Sequence, residues 1–206
     1  MHLKRQEIGK SWPIPRKGTK YLVVASHEKK NGIPMLIVLR DMMKLGKNRK
    51  EVKKMLSEGV VSVNGRVVRE DKFALLPFDA LSINKKTYKL GFSDKGKFQV
   101  NEAGKEEMIL KVLGKKILKN KRIQLNLLYG KNILSNEKVN VGDSVLIKDR
   151  KIIKVIPLEA GREAIAFAGK HRGRKGEIKK VQVGAALLSS NDEKINIPTR
   201  DLMAIK

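Results

Sequence analysis

The chain has 206 residues, 41% of them hydrophobic, and 46 Lys and Arg against 21 Asp and Glu give a formal net charge of +25. A chain this apolar buries cores, which excludes wholesale disorder, and a charge this large selects a polyanion, nucleic acid ahead of an anionic membrane surface. With no run of about 18 apolar residues a membrane span is disfavoured, and without cysteine there are no disulfides, thiolate metal sites or cysteine nucleophiles.

The N-terminus is basic and broken by Pro13 and Pro15, so no secretory signal is expected, and the cytoplasm is the default compartment. The charge is spread along the chain. Residues 1–35 carry a net +6, residues 36–83 +4, residues 84–158 +11 and residues 159–206 +4. That distribution fits a protein surrounded by polyanion rather than one with a single ligand site.

Residues 1–33 read as a basic arm, because the two prolines favour extended backbone. Lys4, Arg5, Arg16, Lys17 and Lys20 are its candidate RNA contacts, with Trp12 between them to stack on a base. The bland alternative is a frayed terminus. Residues 34–46 predict a helix, with Pro34 at its first position, Gly46 as a left-handed cap, and an apolar surface running nearly all round from Met35 to Leu45.

Residues 49–58 predict a second helix. Asn48 and Glu51 make a capping-box-like start, Val52, Met55 and Leu56 share one apolar face, and Gly59 ends it. Lys47, Arg49, Lys50, Lys53 and Lys54 then form a cationic start that lies mainly off that face. Val61 and Val63 alternate as a strand, Asn64-Gly65 is a strong hairpin turn, and Arg66 and Arg69 flank the return strand.

Residues 84–158 predict a β-rich region. Strands are expected at Lys97–Val100, Ile109–Val112, Ile123–Leu128, Val145–Ile147 and Ile152–Ile156. Turns are expected at 94–96, Gly114, Asn120, Gly130 and Gly142-Asp143. Residues 160–206 predict a further small β unit. Its apolar strand at 164–168 precedes a loop holding Gly169, Gly173 and Gly176, and a turn is expected at Asn191-Asp192. Lys170, His171, Arg172, Arg174 and Lys175 on that loop are candidate phosphate contacts, against the alternative of a flexible solvated loop.

Catalytic chemistry is hard to find. His2, His27 and His171 are far apart with no metal-ligand spacing, and there is no phosphate-loop or dinucleotide fingerprint. Glu51, Asp71 and Asp143 have local explanations as cap, strand-preceding and turn residues. Only 4% of residues are aromatic, fewer than a single-strand binder built on stacking platforms would want. Structured RNA, read through phosphates and 2′-hydroxyls, needs cations chiefly.

Residues 36–83 resemble the alpha-L RNA-binding module of ribosomal protein S-four and many RNA-modifying enzymes. The matching run is Leu39-Arg-Asp41, Leu45-Gly46, Glu51 to Leu56, Gly59, Val63-Asn-Gly-Arg66 and Pro77 to Ile83. It departs at Phe78, where the module usually has Gly. Residues 164–183 resemble a KOW motif. The order of arm, module, β-rich middle and KOW unit, with Lys121 to Gly130 in the middle, resembles the archaeal and eukaryotic small-subunit ribosomal protein family S-four-e over nearly the whole chain. A Pro-His-containing segment of that family is reduced here to Ser26-His-Glu-Lys, and the C-terminal tail of eukaryotic members is missing, which implies an archaeal source.

The resemblance implies an α+β multidomain fold: a basic arm (1–33), an alpha-L RNA-binding domain (34–83), a β-rich central domain (84–158) and a C-terminal SH3-like KOW β-barrel (159–206). It implies a structural constituent of the small ribosomal subunit, bound to rRNA and neighbouring ribosomal proteins in the cytoplasm. No enzyme activity, cofactor, membrane or small-molecule substrate is expected. The rival readings are an RNA-modifying enzyme and a KOW-type transcription or translation factor. A pseudouridine synthase would carry an Arg-Leu-Asp tripeptide, which this chain lacks.

Overall fold

The computed structural model describes residues 2–104, 107–119, 122–135, 137–148, 151–190 and 193–206. Lys121 and the turns expected at Asn120 and at Asn191-Asp192 lie outside the described residues. The chain is β-rich and forms two compact units. The first comprises Met1–Phe92 with Lys97–Glu106, and the second Ser93–Gly96 with Glu107–Lys206. Among the described residues no helix is long and apolar enough to cross a membrane.

In the first unit β1 (Leu3–Lys4) pairs with β2 (Tyr21–Leu22), so the arm closes on itself. The two-residue strand β3 (Ile33–Pro34) runs into α1 (Met35–Ile37), which continues as a π turn over Val38–Met42. Pro34 is the cap rather than the first helical residue, and the first helical amides are satisfied by carbonyls from another segment: Met35 donates to Phe73 O and Leu36 to Asp71 O. Residues 35 to 39 are all buried, as an apolar surface all round requires. The helix stops short of residue 46. Lys44, at φ 56, takes the left-handed conformation expected of Gly46, and Leu45 is half exposed.

Helix α2 (Arg49–Ser57) is followed by the hairpin of β4 (Val61–Val63) and β5 (Arg66–Val67). Next come β6 (Ala74–Leu75), which pairs with β3, and then β7 (Ala80–Ile83), β8 (Lys86–Phe92) and β9 (Phe98–Ala103). The sheet order is β5-β4-β7-β8-β9. The sheet therefore runs past the boundary expected at residue 83, and β8 and β9 belong to it rather than to the central region. A two-residue turn at Asn84-Lys85 makes the join, with φ of 47 and 70. No glycine marks that turn, so composition hides it.

In the second unit β10 (Met108–Ile117), β11 (Ile123–Leu127), β12 (Asn132–Ser135), β13 (Ser144–Lys148) and β14 (Lys151–Ile156) form a sheet in the order β12-β11-β10-β13-β14. Gly114, expected in a turn, lies inside β10 at a register shift. The strand pairs with β13 over Met108–Lys111 and with β11 from Val112 onward.

The remaining strands are β15 (Glu163–Ala166), β16 (Lys175–Gln182), β17 (Ala185–Ser190), β18 (Glu193–Pro198) and β19 (Leu202–Ala204). Their antiparallel order is β18-β17-β16-β15-β19, around buried Ala164, Ala166, Ile178, Ala186, Leu188 and Leu202. Gly176 is needed because β17 passes so close that a Cβ there would lie 2.1 Å from Ser189 O. Strands β1, β2, β3, β8, β12 and β17 have no counterpart among the expected strands.

Candidate nucleic-acid interface

Helix α2 begins as the sequence predicts. The Asn48 side chain accepts from the Glu51 amide at 2.9 Å, and Glu51 in return accepts from the Lys47 amide and the Asn48 side chain, each at 2.8 Å. Such a cap contributes about 1 kcal/mol and sets where the helix starts. Val52 and Leu56 are buried, so Lys50, Lys53 and Lys54 are turned to solvent. Lys47 is exposed as well. Arg49 differs from these four. Its Nε donates to Asp71 Oδ2 at 2.5 Å, and Asp71 is nearly buried. Arg49 therefore also ties the start of α2 to the segment before β6. Asp71 is an anchor, a role its place ahead of a strand did not disclose.

The hairpin tip is held from below by Asp79, which is 2% exposed. Its carboxylate accepts from Asn64 Nδ2 at 2.9 Å and from the Leu76 amide at 3.0 Å. Asn64 Oδ1 in turn accepts from the Ala80 amide at 2.9 Å. Asn64 and Gly65 have φ of 50 and 76, as the turn requires, and Arg66 and Arg69 are exposed. Phe78 adopts φ 69, so the conformation natural to Gly is kept here by a larger residue, whose ring meets Phe92 edge-on at 5.9 Å.

The arm differs most from expectation. Trp12 is 9% exposed in the folded chain, so its ring is packed inside rather than displayed for a base. The Ser11 carbonyl accepts from the Phe98 amide at 2.8 Å, which fixes this segment to the edge strand β9. Arg5 turns inward too: its guanidinium donates to Thr19 O, Pro15 O and Thr19 Oγ1. Lys4, Arg16, Lys17 and Lys20 remain exposed, and with Arg5 they line one cleft of about 420 Å³.

The loop between β15 and β16 is tied down as well. Gly173 donates to Ala166 O at 2.7 Å and Ala166 to Arg174 O at 3.0 Å. Lys170 and Lys175 are exposed, while His171 is partly buried. Arg172 is also partly buried; burial lowers its pKa, and the neighbouring Tyr129 opposes that shift. Arg174 pairs with Glu193 of β18 at 2.6 Å. Of the five candidate contacts on this loop, Arg174 is thus paired within the second unit and Arg172 is partly buried in it.

One functional-looking group escaped sequence reading. Lys111 of β10 is 4% exposed, and its Nζ donates to the carbonyls of Thr199 and Leu202. Burial pushes its pKa down to about 8, partly offset by Asp201. A lysine inside the apolar run from Met108 to Leu113 was the available signal. Leu202 opens β19 and Thr199 lies in the turn just before it, so Lys111 pins the start of that strand to β10 within the second unit.

The comparisons agree with one another. A family model described as "Ribosomal family S4e" matches residues 84–152. The small ribosomal subunit protein eS4 of Methanospirillum hungatei is 36% identical over 189 residues, covering 86% of this chain and 78% of that protein. The eS4 protein of Methanocella arvoryzae is 33% identical over 190 residues, covering 88% and 81%. The crystal structure of the 30S ribosomal protein S4e from Thermoplasma acidophilum superposes with a TM-score of 0.73 at 29% identity, covering 86% of this chain and 96% of that one. At such identity over so much of both chains, this protein belongs to the S4e family of ribosomal proteins.

Proposed function

We propose that this chain is a structural constituent of the small ribosomal subunit that binds its rRNA and takes part in translation, in cytoplasmic ribosomes. One observation carries the reading: α2 and its hairpin form a rigid, internally bonded scaffold whose outward side chains are cations. The capping of α2 and the Asp79 network order that scaffold before any RNA arrives, so little is lost in ordering on binding. Lys47, Lys50, Lys53, Lys54, Arg66 and Arg69 then neutralise phosphates where RNA helices converge. Each neutralised phosphate adds roughly −0.7 to −0.9 to the slope of log affinity against log salt.

In this reading residues 34–83 act as an alpha-L type RNA-binding domain, extended by β8 and β9, and residues 159–206 as a KOW-type SH3-like barrel. The strand order β18-β17-β16-β15-β19 supports the second assignment. Lys170 and Lys175 supply its phosphate contacts. The central residues 84–158 and neighbouring ribosomal proteins complete the assembly, and no catalytic step is assigned to the chain. Sedimentation of a cell lysate through a high-salt gradient tests the reading. The protein is expected to travel with small subunits, and recovery at the top of the gradient would remove it.

A further inference from the structure

The cations of the N-terminal segment surround one cleft, and a single side chain gives that cleft its shape. Arg5 donates through Nε to Thr19 O at 2.8 Å, through Nη1 to Pro15 O at 2.7 Å and through Nη2 to Thr19 Oγ1 at 3.1 Å. Its amide donates to Lys20 O at 2.9 Å, and the β1–β2 pair closes the loop beside it. Gly18 fits against the guanidinium so tightly that a Cβ there would sit 2.8 Å from Nη2, at a φ of +146 that other residues rarely adopt.

Lys4, Arg16, Lys17 and Lys20 share the cleft walls, with the Lys20 ammonium 5.4 Å from the centre of the Tyr21 ring. Four like charges on a short loop repel one another and would open it. Three guanidinium bonds to loop carbonyl and hydroxyl groups oppose that opening. A lysine at position 5 could not reproduce them, because it lacks the planar fork.

We infer that the Leu3–Leu22 loop is a preformed phosphate clasp, in which Arg5 is the positioning residue and Lys4, Arg16, Lys17 and Lys20 supply the charge. The cleft, about 420 Å³, falls in the range of small-ligand sites, roughly 300–1,000 Å³. Five cationic side chains on its walls select an anion, and the shared chemistry of an RNA backbone and a free phosphate is the phosphate oxygen. The inference rests on the ribosomal reading only for the source of that phosphate.

The experiment uses the full chain. Isotope-labelled protein is titrated with inorganic phosphate, and with chloride at matched ionic strength, while amide resonances are followed. An archaeal small-subunit rRNA transcript is bound in parallel by wild type, Arg5→Lys and Gly18→Ala. Phosphate, not chloride, is expected to move the amides of residues 17–20 to saturation. Both variants keep the net charge yet are expected to bind RNA roughly five- to tenfold more weakly with an unchanged salt slope. Unmoved clasp amides would overturn the clasp.

Saturable phosphate shifts with variants that bind RNA like wild type would keep the clasp but assign it to free phosphate. If Arg5→Lys loses amide dispersion outside the loop, Thr19→Val, which removes one bond and no charge, takes its place with a smaller expected loss. Amide shifts are read on purified protein, so failure to sediment with small subunits would remove the ribosomal reading and leave this result standing.

Discussion

Two basic segments of similar composition are built in opposite ways. On α2 the cations at 50, 53 and 54 face solvent because Val52 and Leu56 occupy the buried side. On the loop between β15 and β16, Arg174 is matched by Glu193 and Arg172 is partly buried near Tyr129. A cation on a helix with one apolar face is left outside by geometry. A cation on a loop between paired strands is drawn in by whatever acceptor the fold brings near. Net charge therefore overstates what the second unit can offer an RNA and describes the first more fairly.

The largest expected effect breaks the scaffold of the first unit. Asp79→Ala leaves the Asn64 amide group and the Leu76 N–H without their buried acceptor, so it should cost about 2–4 kcal/mol in urea unfolding. A loss below ~1 kcal/mol would mean that the hairpin tip does not depend on Asp79.

Next comes the contrast itself. Changing Lys50, Lys53 and Lys54 together to Ala should lower the magnitude of the RNA salt slope by roughly 2. Arg174→Ala should leave that slope nearly unchanged and appear instead as a small loss of stability, about 0–1 kcal/mol for an exposed pair. Equal slope changes from the two variants would erase the distinction between the segments.

Lys111 sharpens the comparison through pH. Its pKa is about 8 when folded, below the 10.5 of an ordinary lysine. Between those values the unfolded chain binds more protons than the folded one, so this group's contribution to stability rises as pH rises from about 8 to 10.5. Its burial therefore costs most below pH 8. Thermal melts of wild type and Lys111→Met across that range should show wild type gaining on the variant as pH rises. Parallel curves would mean that the ammonium is ordinary in the fold.

A further modest effect concerns Phe78. Phe78→Ala keeps the left-handed backbone and loses the ring contact with Phe92, worth about 0.5–1.5 kcal/mol. Phe78→Gly loses the same ring but relieves about 1 kcal/mol of backbone strain. Glycine should be the milder change by denaturant midpoint, and the reverse order would show that φ 69 is not strained here.

Much of the molecule was legible because short-range rules decide it. The Asn48–Glu51 cap, the Val52–Leu56 face, the Asn64-Gly65 turn and the alternating strands each depend on residues a few positions apart. The misses share a different cause. The sequence predicts an extended arm, because nothing local says that Arg5 reaches Thr19 and Pro15. It offers Trp12 to a base because the burial of that ring is decided by distant residues. It ends the module at residue 83 because Asn84-Lys85 makes a glycine-like turn without glycine.

By itself, then, the sequence determined a basic, β-rich chain with an exposed cationic helix beside a tight hairpin, and the family to which it belongs. Only the tertiary structure decided which cations are engaged by groups of the protein itself. Arg5, Arg49, Lys111 and Arg174 found acceptors 10 to 91 positions away. Desolvating a charge is tolerated only where such partners converge, and long-range folding alone brings them together.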